Sequence, residues 1–304
     1  MTPDETMATT AYTGKLQQHL TDNQIYPEKH MYLNRPPHLL PDNLGNIFKM
    51  LSASRSSLHS SSSSKVDFDA FCQANNRATN DQEVLSEVIP LVEGNHSHLD
   101  EYGGYPFRNI SQITNKVLPP VKPDRFYGAN CDILDRTVCR ELSTCIRPAK
   151  HKTLPIVLLP NFTLEAKGPT GSLIKTDWQT CHHGALGTRA MHSIQNYRQD
   201  TPTYDNNAYT ISLNYHSRNG ALAIFVTRPK EFECASGRRQ GHVMTIAGHW
   251  NLTKDIKTFR KGVTAYRNAR DWAREQRDSF ISQVNAKAPQ TSASLQIDSS
   301  NELN

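Results

Sequence analysis

The chain has 304 residues, 37% of them hydrophobic, and its 34 Lys and Arg against 29 Asp and Glu leave a formal charge of +5. That length suits one sizeable core with tails, or two small domains. The mild basic excess is compatible with a nucleic-acid partner without requiring one, and no apolar run approaches the ~20 residues of a membrane span.

Residues 1–14 are polar and carry Asp4 and Glu5, which is no secretory leader. Six cysteines (72, 131, 139, 145, 181 and 234) are scattered without a Cys-x-x-Cys pair. They read as reduced thiols of an intracellular protein, in nucleus or cytoplasm. The glycosylation sequons at Asn95, Asn109, Asn161 and Asn251 are then incidental, and Asn161 lies in an expected core strand.

Residues 1–40 lack helical or strand periodicity and hold scattered prolines, which reads as a flexible tail. Leu44, Ile47, Phe48 and Leu51 follow a helical spacing after Asp42, a plausible cap. The serine cluster at 52–64 reads as a solvated linker, so the folded domain is expected to begin near Asp67. Asn80 with Glu83 three residues on suggests a capping box before the apolar face of Val84, Leu85, Val88 and Ile89. A short helix is expected over 132–142, then extended chain over 154–167, interrupted at Pro160 and ended by Gly168-Pro169.

Residues 177–195 read as a helix whose Gly184, Ala185, Gly187 and Ala190 would let it lie close to a sheet. Residues 209–215 and 221–227 flank Asn219-Gly220, a strong hairpin signal. Another strand is expected over 242–250 and a long helix over 255–285. Helix, strands, helix, strands, helix implies a mixed α/β core of about 200 residues.

In a strand, Phe162, Leu164 and Ala166 face one way while Thr163, Glu165 and Lys167 share the other. A carboxylate and an amine two residues apart, with an aspartate on a neighbouring element, can chelate a hard divalent cation and position a water. Pro123-Asp124 upstream supplies that aspartate.

Pro-Asp, then Glu-x-Lys at a strand end, then a glutamine-led helix resembles the PD-(D/E)XK nuclease superfamily, the restriction-endonuclease-like fold. The segments 159–168, 185–195, 204–209 and 258–273 resemble an uncharacterised domain of fungal proteins, itself thought to be PD-(D/E)XK-like. Together the resemblance covers roughly residues 67–283. It implies a mixed central sheet flanked by helices over 65–285. It leaves 1–64 as a largely disordered tail with a short helix and Ser-rich linker, and 286–304 as a disordered tail. It further implies that Asp124, Glu165 and the carbonyl of Ala166 bind Mg²⁺ or Mn²⁺, that Lys167 orients or activates water, and that Gln179 sits beside the site. The partner is then nucleic acid, DNA in the first instance. A third acid is expected from the first helix of the domain, with Asp81, Glu83 and Glu87 all eligible.

Blander readings compete. A lone Glu-x-Lys is usually a solvent-facing pair, and Asp124 can be a turn residue bonding its local backbone. The 41 positions between Asp124 and Glu165 need an insertion, which leaves open a catalytically silent binding or scaffold protein on the same fold. Cys181, His182 and His183 have no partner pair at zinc spacing, although His182 or His183 can reach the edge of the site. The arginines of the last helix read as a solvated face before they read as phosphate contacts.

Overall fold

The computed structural model describes residues 14–27, 40–55, 61–94, 101–114, 119–149, 157–234 and 237–287. Seven strands form one mixed sheet in the order β1-β7-β6-β5-β4-β3-β2. They are β1 (Ile25–Tyr26), β2 (Glu101–Tyr102), β3 (Arg125–Asn130), β4 (Val157–Lys167), β5 (Thr210–His216), β6 (Ala221–Cys234) and β7 (Gly237–Asn251). The pairs β4–β5 and β1–β7 are parallel and the rest antiparallel. A parallel pair needs a crossover connection, and α7 (Leu173–Gln195) makes it between β4 and β5.

Among the described residues six α-helical segments precede β4, the first five being α1 (14–22), α2 (Leu44–Ser52), α3 (Ser61–Arg77), α4 (81–93) and α5 (Arg136–Glu141). A short α6 (Ser143–Ile146) follows α5, and the long α8 (Ile256–Lys287) closes the described chain. One face of the sheet, carrying Phe162, Leu164, Ala166, Leu213 and Tyr215, packs against α8 with α2, α3 and α4. The other face takes α7, and beyond it Leu16, Leu20 and Ile25 join Trp178, Ala185, Phe225 and Met244 in a separate cluster.

The expected closeness of α7 has a specific cause. A Cβ on Gly184 would lie 2.5 Å from Thr227 Oγ1 and 2.6 Å from Ser212 Oγ, and one on Gly187 would lie 2.6 Å from the Pro160 carbonyl. Only hydrogens fit there, so the helix axis settles onto β4, β5 and β6.

The expected hairpin forms as β5 and β6, joined across Gly220 at φ +60°. Pro160 does not break β4; the irregularity falls instead at Leu159, whose φ is +53°, beside a register shift between Tyr127 and Ala129. At Asn80 the cap is as expected, with Oδ1 accepting from Glu83 N at 3.0 Å, while Glu83 Oε2 accepts from Thr79 N at 2.7 Å.

Three expectations are corrected. Residues 14–26 are not tail: α1 and β1 pack on the α7 side of the sheet, held by buried Leu16, Leu20 and Ile25. The boundary near residue 65 therefore cuts through packed structure, because α3 begins at Ser61 inside the serine cluster and α2 belongs to the main core. Asp42 does not cap α2; its carboxylate accepts from Asn206, and the N-cap position falls on Asn43. The tail expected at 286–304 falls, from 288 on, outside the described residues, as do 1–13 of the N-terminal one.

Candidate active site

The antiparallel register of β3 on β4 pairs Arg125 with Leu164, which sets Asp124 across from Glu165. Side chains opposite each other share a face, so the 41-position separation closes at the strand pair. The insertion expected between them is the α5–α6 excursion. Asp124 is pinned by its backbone, whose N–H donates to the Leu164 carbonyl at 3.1 Å, and Ala166 N donates to Asp124 Oδ2 at 2.9 Å.

Lys167 gathers three carboxylates. Its Nζ lies 2.9 Å from Glu165 Oε2, 3.6 Å from Asp124 Oδ2 and 3.6 Å from Asp81 Oδ2. Asp81 arrives from the first turn of α4, where its Oδ1 accepts from Gly168 N at 2.6 Å. A Cβ on Gly168 would sit 2.8 Å from the Asn80 backbone, so a glycine there lets the start of α4 abut the end of β4. Of the three eligible acids, geometry selects Asp81. Glu83 is spent on Thr79, and Glu87 is exposed.

The electrostatics follow from burial. The Glu165 side chain is 2% exposed, and desolvation raises its pKa, with Lys167 opposing. Asp124 is raised to about 6, first by desolvation and then by the Glu165 charge, against Lys167. Burial works to lower the Lys167 pKa, but the surrounding carboxylates outweigh it and hold the ammonium charged.

His183 on α7 is a member that the strand motif does not announce. Its Nδ1 lies 3.3 Å from Glu165 Oε1, off the line of a hydrogen bond, and neither atom has another partner. Burial pushes its pKa down to about 3, so the ring is neutral. The signal was the i, i+4 spacing from Gln179, which puts both on one helical face. Gln179 is half-buried on that face with its Oε1 unpartnered, and among the described residues no hydrogen bond joins it to the three carboxylates.

The donors Asp124, Glu165 and the Ala166 carbonyl are all oxygens, the set a hard divalent cation prefers. Glu165 Oε1 is buried and accepts no hydrogen bond, with His183 Nδ1 beside it. Among the described residues no three His, Cys, Asp or Glu side chains converge as a formed metal site, and the Lys167 ammonium lies among the carboxylates instead.

Asn161 is fully buried, donating to the Tyr209 and Ala273 carbonyls and accepting from Arg277, so its amide is committed to packing. The cysteines 72, 131, 139, 145 and 181 are unbridged. Among the described residues no helix is long and apolar enough to cross a membrane. No family model matches the chain, and no curated protein and no solved structure matches it either.

Proposed function

We propose that the protein is a metal-dependent phosphodiesterase of the PD-(D/E)XK, restriction-endonuclease-like kind, acting inside the cell on nucleic acid, DNA in the first instance. The observation that carries this reading is Lys167 Nζ within 2.9 to 3.6 Å of carboxylates from α4, the approach to β3, and β4. A solvent-facing Glu-x-Lys would not draw two further acids from distant segments, nor bury its glutamate.

In this reading Asp124, Glu165 and the Ala166 carbonyl hold Mg²⁺ or Mn²⁺. Such an ion supplies Lewis-acid polarisation of the scissile phosphate and a lowered pKa for a bound water. The chain's own groups do the rest. Lys167 keeps its proton and donates it in hydrogen bonds, orienting a water or a phosphate oxygen. His183, neutral and packed at Glu165 Oε1, fixes the rotamer of that carboxylate. Asp81 ties α4 to the strand end, and Gln179 offers an unpaired amide oxygen on the adjoining helical face.

Purified protein should cleave DNA in Mg²⁺ or Mn²⁺, and Lys167→Ala should reduce the rate by about 100-fold or more. Cleavage that persists in EDTA, or unchanged in Lys167→Ala, refutes the assignment.

One observation favours the second reading, a catalytically silent scaffold on the same fold: the 2.9 Å Lys167–Glu165 ion pair closes the site with no formed set of metal ligands. Calorimetry separates the two. Mg²⁺ or Mn²⁺ binding that is lost in Glu165→Gln supports the hydrolase, and its absence in the wild type supports the scaffold.

A further inference from the structure

On the opposite face of the sheet from Glu165, a cleft of about 510 Å³ lies between α2 and the first turns of α8. Trp250, Leu51 and Ala247 give it an apolar wall, and Phe48 stands at its rim, 47% exposed. Lys257, Arg260 and Lys261 line it at helical spacings of three and four, together with Arg55. No aspartate or glutamate lines it. Arg55 is engaged by Asn268 and Asp271, but the exposed Lys257 and Lys261 have no acidic partner among the described residues. They also sit in the first two turns of α8, where the helix dipole adds positive potential.

Three arginines further along α8 are used differently. Arg267 donates to the carbonyls of Leu91 and Val92, Arg270 to that of Glu93, and Arg277 to Asn161, so these serve packing.

We propose that this cleft binds single-stranded nucleic acid, with backbone phosphates on Lys257, Arg260 and Lys261 and a base against Phe48 and Trp250. Cations one helical turn apart beside aromatic faces are the pairing that single-strand grooves use. The site is concave, which suits a strand with splayed bases and not a flat bilayer, and it is too small to admit a duplex. Its place in the sheet adds a reason. Trp250 is level with Leu222, Tyr215 and Ala166 across successive strands, which puts it about 14 Å from the Glu165–Lys167 strand end. A strand held here would reach the carboxylate cluster by passing round that end of the sheet. Binding itself does not depend on hydrolysis.

The test is fluorescence anisotropy of a labelled single strand of about 16 nucleotides, with the full chain in EDTA. The expected result is tighter binding of the single strand than of the matching duplex. Lys257→Glu/Lys261→Glu should weaken it by about tenfold or more and flatten the slope of log K against log salt by about 1.4, as two lost phosphate contacts require. Phe48→Ala should weaken binding several-fold at an unchanged slope. All three cleft side chains are exposed, so unchanged melting temperatures will show that the variants fold. Equal affinity for duplex, indifference to the double variant, or binding to phosphatidylserine vesicles that oligonucleotide does not displace would overturn the proposal. Wild-type protein that binds the strand in this way but never cleaves DNA in Mg²⁺ or Mn²⁺ would count against the hydrolase reading alone.

Discussion

Asp124 sits between opposing influences: burial and the neighbouring Glu165 favour its protonated form, while Lys167 favours the charged one, and the first two prevail. Folding therefore raises its affinity for a proton, and the folded state takes one up between about pH 4 and 6. Stability from this residue is greatest at low pH and is lost as pH rises through that window. The rise from 3.8 to about 6 is worth about 3 kcal/mol at most. Asp124→Asn keeps an acceptor for Ala166 N and removes the charge. It should raise the melting temperature at pH 7.5 and change it little at pH 4; equal gains at both would mean the charge is not the cause. Lys167→Ala should do the reverse. With the Glu165 side chain only 2% exposed, losing its cation should cost about 3 kcal/mol in a denaturant titration at neutral pH, and Mg²⁺ should restore more stability to this variant than to the wild type. The pair Glu165 and Lys167 was legible because strand alternation puts them on one face. The role of Asp81 over Glu83 and Glu87 was not, since it depends on where the start of α4 meets Gly168 in space.

At the scale of elements, the α7–sheet contact sets the position of His183. Gly184→Ala would push the helix off Ser212 and Thr227, and overpacking of this sort costs about 1 to 3 kcal/mol. The same displacement would draw His183 from Glu165, so cleavage should fall by more than the loss of folded protein explains, as active-site titration against circular dichroism will show. Small residues on α7 announced this contact in sequence, and Asn219-Gly220 announced the β5–β6 hairpin. Two features stayed hidden. The π-type turn over Val84–Val88 leads into a helical turn containing Pro90, a residue that withholds an N–H from any helix; no composition cue marks such a widening. Likewise β1 has two residues, too few for periodicity to register, and its existence is decided by pairing with His242 and Val243.

For the whole molecule, that pairing has practical weight. β7 runs from Gly237 to Asn251, and within the described sheet only Ile25 and Tyr26 cover its outer edge. A chain begun at residue 65, where composition changes, would lose them together with α2 and the apolar anchors Leu16 and Leu20. Edge strands left bare recruit other strands. Such a shortened chain should sediment as oligomers or aggregate, while one begun at residue 14 should remain monodisperse at the same concentration.

The carboxylates around Lys167 come from three stretches of chain that meet only when β3 has doubled back on β4 and α4 has docked. Glu165 and Lys167 also wait for β5, their parallel neighbour, which is synthesised more than 40 residues after them. A ribosome-bound fragment ending before Thr210 would carry every acidic group yet lack the strand that frames them. The cluster can therefore take its final geometry only once translation has passed that point.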